Sequence, residues 1–168
     1  MSIKPKKSLG QNFLYDKNVI NKIINASKIN SNDEVLEIGP GTGNLTRSII
    51  YQKPKKIYVI EKDESLANIL KKQFSNKINL ISKDILKIPN DFYSKKKFLI
   101  LGNLPYNIST KILSNLCLNS ELKVSKMIFM FQKEVAERIL ADVNSKEYSR
   151  ITVLSKWKFD IKKVSDVK

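Results

Sequence analysis

Histidine is absent from this chain of 168 residues, and cysteine occurs once. The first absence removes the commonest general base and the commonest metal ligand together. Any catalysis must proceed without imidazole, and no metal site is expected. The lone Cys117 excludes an internal disulfide and a cysteine-rich metal site. It falls in the apolar stretch ILSNLCL and reads as a small core residue. No apolar run approaches the roughly 18 residues that a membrane span needs, so no membrane association is expected. The opening stretch MSIKPKKSLGQNF has basic residues with no apolar run behind them. It does not read as a secretory signal, and a cytoplasmic location is expected.

Acidic residues are also scarce. There are 16 against 31 lysines and arginines, a net charge of +15. Such an excess points to a polyanionic partner, most often a nucleic acid. Arginine is rare too: only Arg47, Arg138 and Arg150 occur, the other basic residues being lysine. Lysine, isoleucine and asparagine are all abundant, as in a genome with A·T-rich codons, so part of the charge reflects codon usage. The clusters at Lys4, Lys6 and Lys7, at Lys53, Lys55 and Lys56, and at Lys95 to Lys97 each read individually as solvated loops. The chain as a whole reads as one with an RNA or DNA partner.

Hydrophobic content of 42% suffices for a core, and the length fits one domain or slightly more. Short apolar runs alternate with helical periodicity. Strands are expected at 35–38, 57–60, 78–81, 98–101 and 126–131, with a further strand at 158–164. Helices are expected at 16–28 with Asp16 as N-cap, 44–51, 64–74, 110–118, 134–141 and 150–156. Strands that are apolar throughout, separated by helices, predict a parallel sheet covered on both faces. Right-handed crossovers make this a doubly wound, Rossmann-like α/β fold.

Two stretches carry chemistry. EIGPGTGNLT, Glu37 to Thr46, follows the first strand and opens a helix. Glycines 39, 41 and 43 allow a sharp turn and close approach of a ligand, and a helix N-terminus favours an anionic group. Alone this is an ordinary strand-to-helix turn. Glu61, about 20 residues on at the end of the second strand, is where an acid accepts both ribose hydroxyls. The spacing is G-x-G-x-G, with Asn44 in place of the last dinucleotide glycine, and no Gly-Lys-Ser/Thr follows. S-adenosyl-L-methionine fits better than NAD or a nucleoside triphosphate. Asp84, after the third strand, is placed to accept from the cofactor's adenine amine, or to act merely as a turn cap.

The second stretch is GNLPYNIST, Gly102 to Thr110. Chemistry on a planar amine needs acceptors for its N–H groups, a rigid backbone to aim them, and a flat face for stacking. Asn103 supplies a side-chain carbonyl and Leu104 a main-chain carbonyl. Pro105 fixes φ, and Tyr106 offers the aromatic face. An adenine amine is a poor nucleophile because its lone pair is delocalised. The two carbonyls can pull that lone pair out of plane without a conventional base.

LGQNFL, VLEIGPGTGNLT, VIEKD, SKDIL, GNLPYNIST and FMFQKEVAERILA occur in the order expected of the ribosomal RNA adenine dimethyltransferases, and the chain resembles the small-subunit group of that family. The resemblance implies a Rossmann-like S-adenosylmethionine-dependent methyltransferase fold with a mostly parallel sheet. Residues 1–168 would then form one catalytic domain. Its segment 1–30 caps the cofactor, and 34–168 form a core lacking the last strand and the C-terminal helical domain. The resemblance implies cofactor contacts from Asn12, Leu14, Gly39, Gly41, Glu61, Asp84 and Asn103, and catalysis by Asn103, Leu104, Pro105 and Tyr106. It implies two methyl transfers to each of two adjacent adenines in a 3′ hairpin loop of small-subunit (16S) ribosomal RNA during ribosome biogenesis. The partner would be that RNA or the immature small subunit, and the chain a monomer. A methyltransferase acting on large-subunit RNA or another nucleic acid, and a non-catalytic RNA-binding assembly factor, remain open alternatives.

Overall fold

The computed structural model describes residues 5–6 and 10–167. Lys4, Lys7 and Leu9, which belong to the first lysine cluster and the LGQNFL stretch, lie outside them. Five strands, β1 (Glu34–Ile38), β2 (Lys56–Glu61), β3 (Asn79–Ser82), β4 (Phe98–Asn103) and β5 (Val124–Met130), form one sheet in the order β3-β2-β1-β4-β5. Every pairing is parallel. Six helices connect or cover them: α1 (Lys17–Ser27), α2 (Asn44–Tyr51), α3 (Glu64–Phe74), α4 (Ser109–Leu118), α5 (Lys133–Leu140) and α6 (Arg150–Lys158).

The strands are continuous apolar runs because both faces are covered. Alternate residues serve opposite cores. Val35, Val59, Leu99 and Leu101 pack with Val19, Ile20 and Ile23 of α1, Leu45 and Ile49 of α2, and Leu70 and Phe74 of α3. Leu36, Ile38, Ile60, Phe98 and Ile100 face the other way, onto Tyr93, Leu104, and Ile112 and Leu116 of α4. Cys117, 1% exposed, joins Leu113 and Ile139 in a small third cluster. Burial pushes its thiol up to about 11, so it is a packing residue and not a nucleophile.

Helix starts follow local chemistry. Asp16 and Asp63 cap α1 and α3 by accepting from backbone N–H groups of the first turn. The bounds of α2 and α3 match the expected ones, and β5 begins two residues earlier than the apolar pattern suggests.

The expected strand at 158–164 does not form. Residue 158 ends α6, and 159–164 have no regular structure. Phe159 and Ile161 pack instead against the cluster around Leu113, Cys117 and Ile139. Their alternation reflects one-sided burial without a hydrogen-bonded ladder. Among the described residues β5 pairs only with β4. No helix there is long and apolar enough to cross a membrane.

Candidate active site

The strand order reverses between β1 and β4, and ligand crevices of doubly wound sheets open at such a switch point, beyond the carboxyl ends of the strands. Here that edge holds a cleft of about 180 Å³. It is lined by Asn12, Gly39, Gly41, Glu61, Asp84, Asn103 and Pro105, and also by Gln11, Phe13, Lys83, Asn107 and several apolar side chains. Six of the seven residues proposed for cofactor contact thus meet in one place. Leu14 does not line the cleft. It packs against the α1–α2 core, and its carbonyl accepts from Asn44 Nδ2 at 2.9 Å. Leu104 and Tyr106 also lie outside the lining. The Leu104 side chain is 1% exposed in the core, which leaves its main chain as the available group. Tyr106 is half-buried beside Pro105. A larger hollow of about 290 Å³ lies behind the 85–87 turn against α4. Asn90, Asn115 and Asn119 line it but no charged side chain does, so it lacks the carboxylate that would accept from both hydroxyls of a ribose.

The glycine loop is built by close approach. Gly43 is the N-cap of α2 with φ +82°, and a Cβ there would come within 2.6 Å of Phe74 Cε2 and 2.9 Å of Leu70 Cδ2. Gly41, φ +58°, would place a Cβ 2.9 Å from Phe13 Cδ1. Gly43→Ala combines left-handed strain with overpacking, and is expected to cost about 2–4 kcal/mol. Urea unfolding of the variant tests this; an unchanged midpoint would show that the loop relaxes freely.

Glu61 ends β2 and is 7% exposed. Burial raises its carboxyl above the ordinary value, against the pull of the backbone N–H groups of Asp63 and Gly41. Its Oε1 accepts from Asp63 N at 2.8 Å and its Oε2 from Gly41 N at 3.4 Å. A carboxylate has about four acceptor positions, so both oxygens retain capacity toward the cleft. Asp84 Oδ1 caps the short turn at 85–87 through Leu86 N at 3.0 Å, and Oδ2 pairs with Lys62 Nζ at 2.9 Å. Burial opposes ionisation of Asp84, but Lys62 and the Leu86 amide outweigh it and hold the carboxyl below its usual value. Both expected roles, turn cap and cleft acid, are therefore compatible in one residue.

Asn103 closes β4. Its Nδ2 donates to the Asn12 carbonyl at 2.6 Å, which turns its Oδ1 away from that carbonyl and frees it to accept. Pro105 and Tyr106 carbonyls are already engaged by Ile108 N and Ser109 Oγ at the start of α4. Among the described residues no donor reaches the Leu104 carbonyl. The Asn103 Oδ1 and the Leu104 carbonyl are thus free acceptors of the motif.

The acceptor set suits S-adenosylmethionine: a buried acid for a diol, a second acid beside apolar Ile85 and Leu86 for an adenine, and a helix N-terminus behind glycines for a carboxylate. Lys53 and Lys55 precede β2 and Lys56 opens it, and Lys95 to Lys97 precede β4, so both clusters lie at the sheet edge opposite the cleft. Lys6 is half-exposed and paired with Asp63.

A parallel sheet in this order, with a glycine loop, a buried acid and an asparagine at one edge, defines a domain with the fold of S-adenosylmethionine-dependent methyltransferases. The sequence model of the family "Ribosomal RNA adenine dimethylase" matches residues 3–168, and the chain belongs to that family. It is 51% identical over 170 residues to "Ribosomal RNA small subunit methyltransferase A" of Pelagibacter ubique, covering 100% of this chain and 64% of the relative. The similarly named protein of a Sulfurihydrogenibium species is 39% identical, with 98% and 65% covered. The chain thus spans less than two thirds of the length of these relatives. Among solved structures, a dimethyladenosine transferase from Plasmodium falciparum superposes with a TM-score of 0.76 at 36% identity, covering 86% of this chain and 52% of that one. The 23S rRNA methyltransferase ErmE gives 0.69 at 26%, covering 86% and 55%.

Proposed function

We propose that this chain carries the catalytic apparatus for methylating adenine amines of ribosomal RNA. The acceptors would be two adjacent adenines in a 3′ hairpin loop of the small-subunit RNA, dimethylated on the immature subunit in the cytoplasm, by a monomer. The observation that carries the reading is Asn103 at the lip of the cleft that holds Glu61 and the glycine loop. The names of the relatives and the net charge of +15 support the RNA substrate.

In this reading Glu61 would accept from the ribose hydroxyls and Asp84 from the adenine amine of the cofactor, while Asn12 and the loop at Gly39 and Gly41 close over it. When bound, S-adenosylmethionine supplies an electrophilic methyl group. Asn103 Oδ1 and the Leu104 carbonyl accept from the target amine and rotate its lone pair out of the ring plane. Pro105 keeps the two acceptors in fixed relation. Tyr106 stacks on the base once it has left its neighbours, and bases of RNA loops are the accessible ones. The displaced proton passes to solvent, since neither carbonyl is a useful base.

The test is methyl transfer from labelled S-adenosylmethionine to unmethylated immature small subunits, followed by nucleoside analysis, with this chain alone and extended by the C-terminal part of a longer relative. Dimethyladenosine in small-subunit RNA is the expected result. Product only in large-subunit RNA would move the substrate. Cofactor binding with no product from either version would leave an RNA-binding assembly factor.

A further inference from the structure

Residues 10–14 cross the mouth of the cleft as a strap. Asn12 O is held by Asn103, Leu14 O by Asn44, and Phe13 lies on Gly41. Gly10 lies against Asn107, and a further attachment is at Asp63, which is 5% exposed at the β2–α3 turn. Its two oxygens are divided. Oδ1 accepts from Ser65 N at 3.0 Å and Leu66 N at 3.4 Å, capping α3. Oδ2 accepts from Lys6 Nζ at 2.7 Å and Gln11 Nε2 at 3.2 Å. Lys6 and Gln11 are also tied to each other, Lys6 N donating to Gln11 Oε1 at 2.9 Å and Gln11 N to Lys6 O at 3.4 Å. The same turn sends Asp63 N to Glu61 Oε1.

We infer that Asp63 is a positioning residue: through Oδ2 it fastens the strap across the cofactor cleft, and through the strap it aims Asn103. This rests on the reading of the cleft as an S-adenosylmethionine site. Helix capping alone would need only Oδ1. The second oxygen is spent on two side chains of the N-terminal segment, one of them charged, and such charge-assisted bonds are the stronger kind. Burial works against the Asp63 carboxylate, yet Lys6, Gln11 and the two α3 amides hold its pKa below the ordinary value, so the pairing is with an ionised group. A strap fixed here presents the Asn12 carbonyl to Asn103 Nδ2, and that bond decides which end of the Asn103 amide faces the cleft.

The divided oxygens permit a clean test. Asp63→Asn retains a capping oxygen, and asparagine caps helices as well as aspartate. It replaces Oδ2 by an amide whose N–H groups oppose the donors of Lys6 and Gln11. S-adenosylhomocysteine affinity should fall roughly tenfold, the size expected when one charge-assisted hydrogen bond is lost. Amide exchange at 10–14, measured without ligand, should accelerate, and the melting temperature should fall by no more than it does in Lys6→Met, where the same ion pair is lost. Lys6→Met should shift binding and exchange the same way, Lys6→Arg should restore both, and the Lys6→Met/Asp63→Asn double variant should be no weaker than Asp63→Asn alone. Wild-type affinity and unchanged exchange in Asp63→Asn would overturn the inference, as would a lowered melting temperature in Asp63→Asn with Lys6→Met wild-type in every readout. Wild-type protein that fails to bind S-adenosylhomocysteine would overturn the reading of the cleft itself, and this inference with it.

Discussion

Asn103→Ala is expected to abolish most methyl transfer, by roughly 10²–10³-fold, the scale on which a preorganised polar group aimed at a reacting centre is worth about 3–4 kcal/mol. The side chain is only half-buried at the end of β4, and its backbone pairing with Met130 is untouched by the substitution. The fold should therefore persist. Cofactor affinity should fall by much less, because Glu61, Asp84 and the glycine loop remain. The strap does lose its bond from Asn103 Nδ2 to Asn12 O, so some loss is expected. Asn103→Asp separates the two roles. It keeps acceptor oxygens for the amine but turns one of them against the Asn12 carbonyl. Single-turnover transfer from labelled cofactor, alongside S-adenosylhomocysteine affinity, measures both. Near-normal transfer by Asn103→Ala would sink the mechanism. Equal losses in affinity and transfer would reassign Asn103 to cofactor binding alone.

The parts of this site that motifs reveal are the parts that end strands. Gly39 to Gly43 follow β1, Glu61 ends β2, Asp84 follows β3 and Asn103 ends β4, so a parallel sheet carries them all to one edge. Once buried parallel strands are read from VLEI, IYVI and FLIL, the meeting of those residues follows from topology alone. The strap network is different in kind. Gln11 and Asp63 are 52 residues apart, and neither the lysine at 6 nor the aspartate at 63 stands out in a chain so rich in charge. Asp63 announces itself only as a helix cap. Leu14 shows the converse: its neighbours in QNFL line the cleft, whereas Leu14 itself is partly buried against the core and Asn44 holds its carbonyl. The stretch at 158–164 misleads because alternation without a partner strand is not a strand.

Glu37 sits in the middle of the glycine-loop motif, yet geometry gives it a different character from Glu61. It is 1% exposed on β1, on the face that α2 covers. Burial pushes its carboxyl up to about 8, the nearby Thr46 hydroxyl offsetting part of the rise and the charge of Glu61 adding to it. Neither Glu37 Oε2 nor Thr46 Oγ1 has a hydrogen-bond partner among the described residues. A protonated Glu37 can direct its O–H to that hydroxyl, whereas an ionised one is a buried charge with the Thr46 hydroxyl as its one nearby side-chain donor, too little to offset the burial. The folded state thus holds a proton that the unfolded chain releases near pH 4.5. Between that value and about 8 the folded protein binds more protons than the unfolded one, so stability falls as pH rises. The slope approaches about 1.4 kcal/mol per pH unit, summing to about 4–5 kcal/mol, a large share of a domain's typical stability. Stability from this group is fully present below the unfolded value and gone above the folded one. Glu61 titrates with the same sign, while Asp63 and Asp84, held low, contribute stability that is lost as pH falls. Comparing Glu37→Gln with wild type cancels Asp63 and Asp84 and leaves only the part of Glu61 that is coupled to Glu37. The amide keeps the volume, cannot ionise, and can donate to Thr46. Urea unfolding should find the two proteins within about 1 kcal/mol at pH 5, and the variant more stable by about 3 kcal/mol or more at pH 9. Parallel stability curves across that range would show that Glu37 is ionised in the fold. The glycine loop would then rest on a buried charge, with an ionised carboxylate available beneath the cofactor.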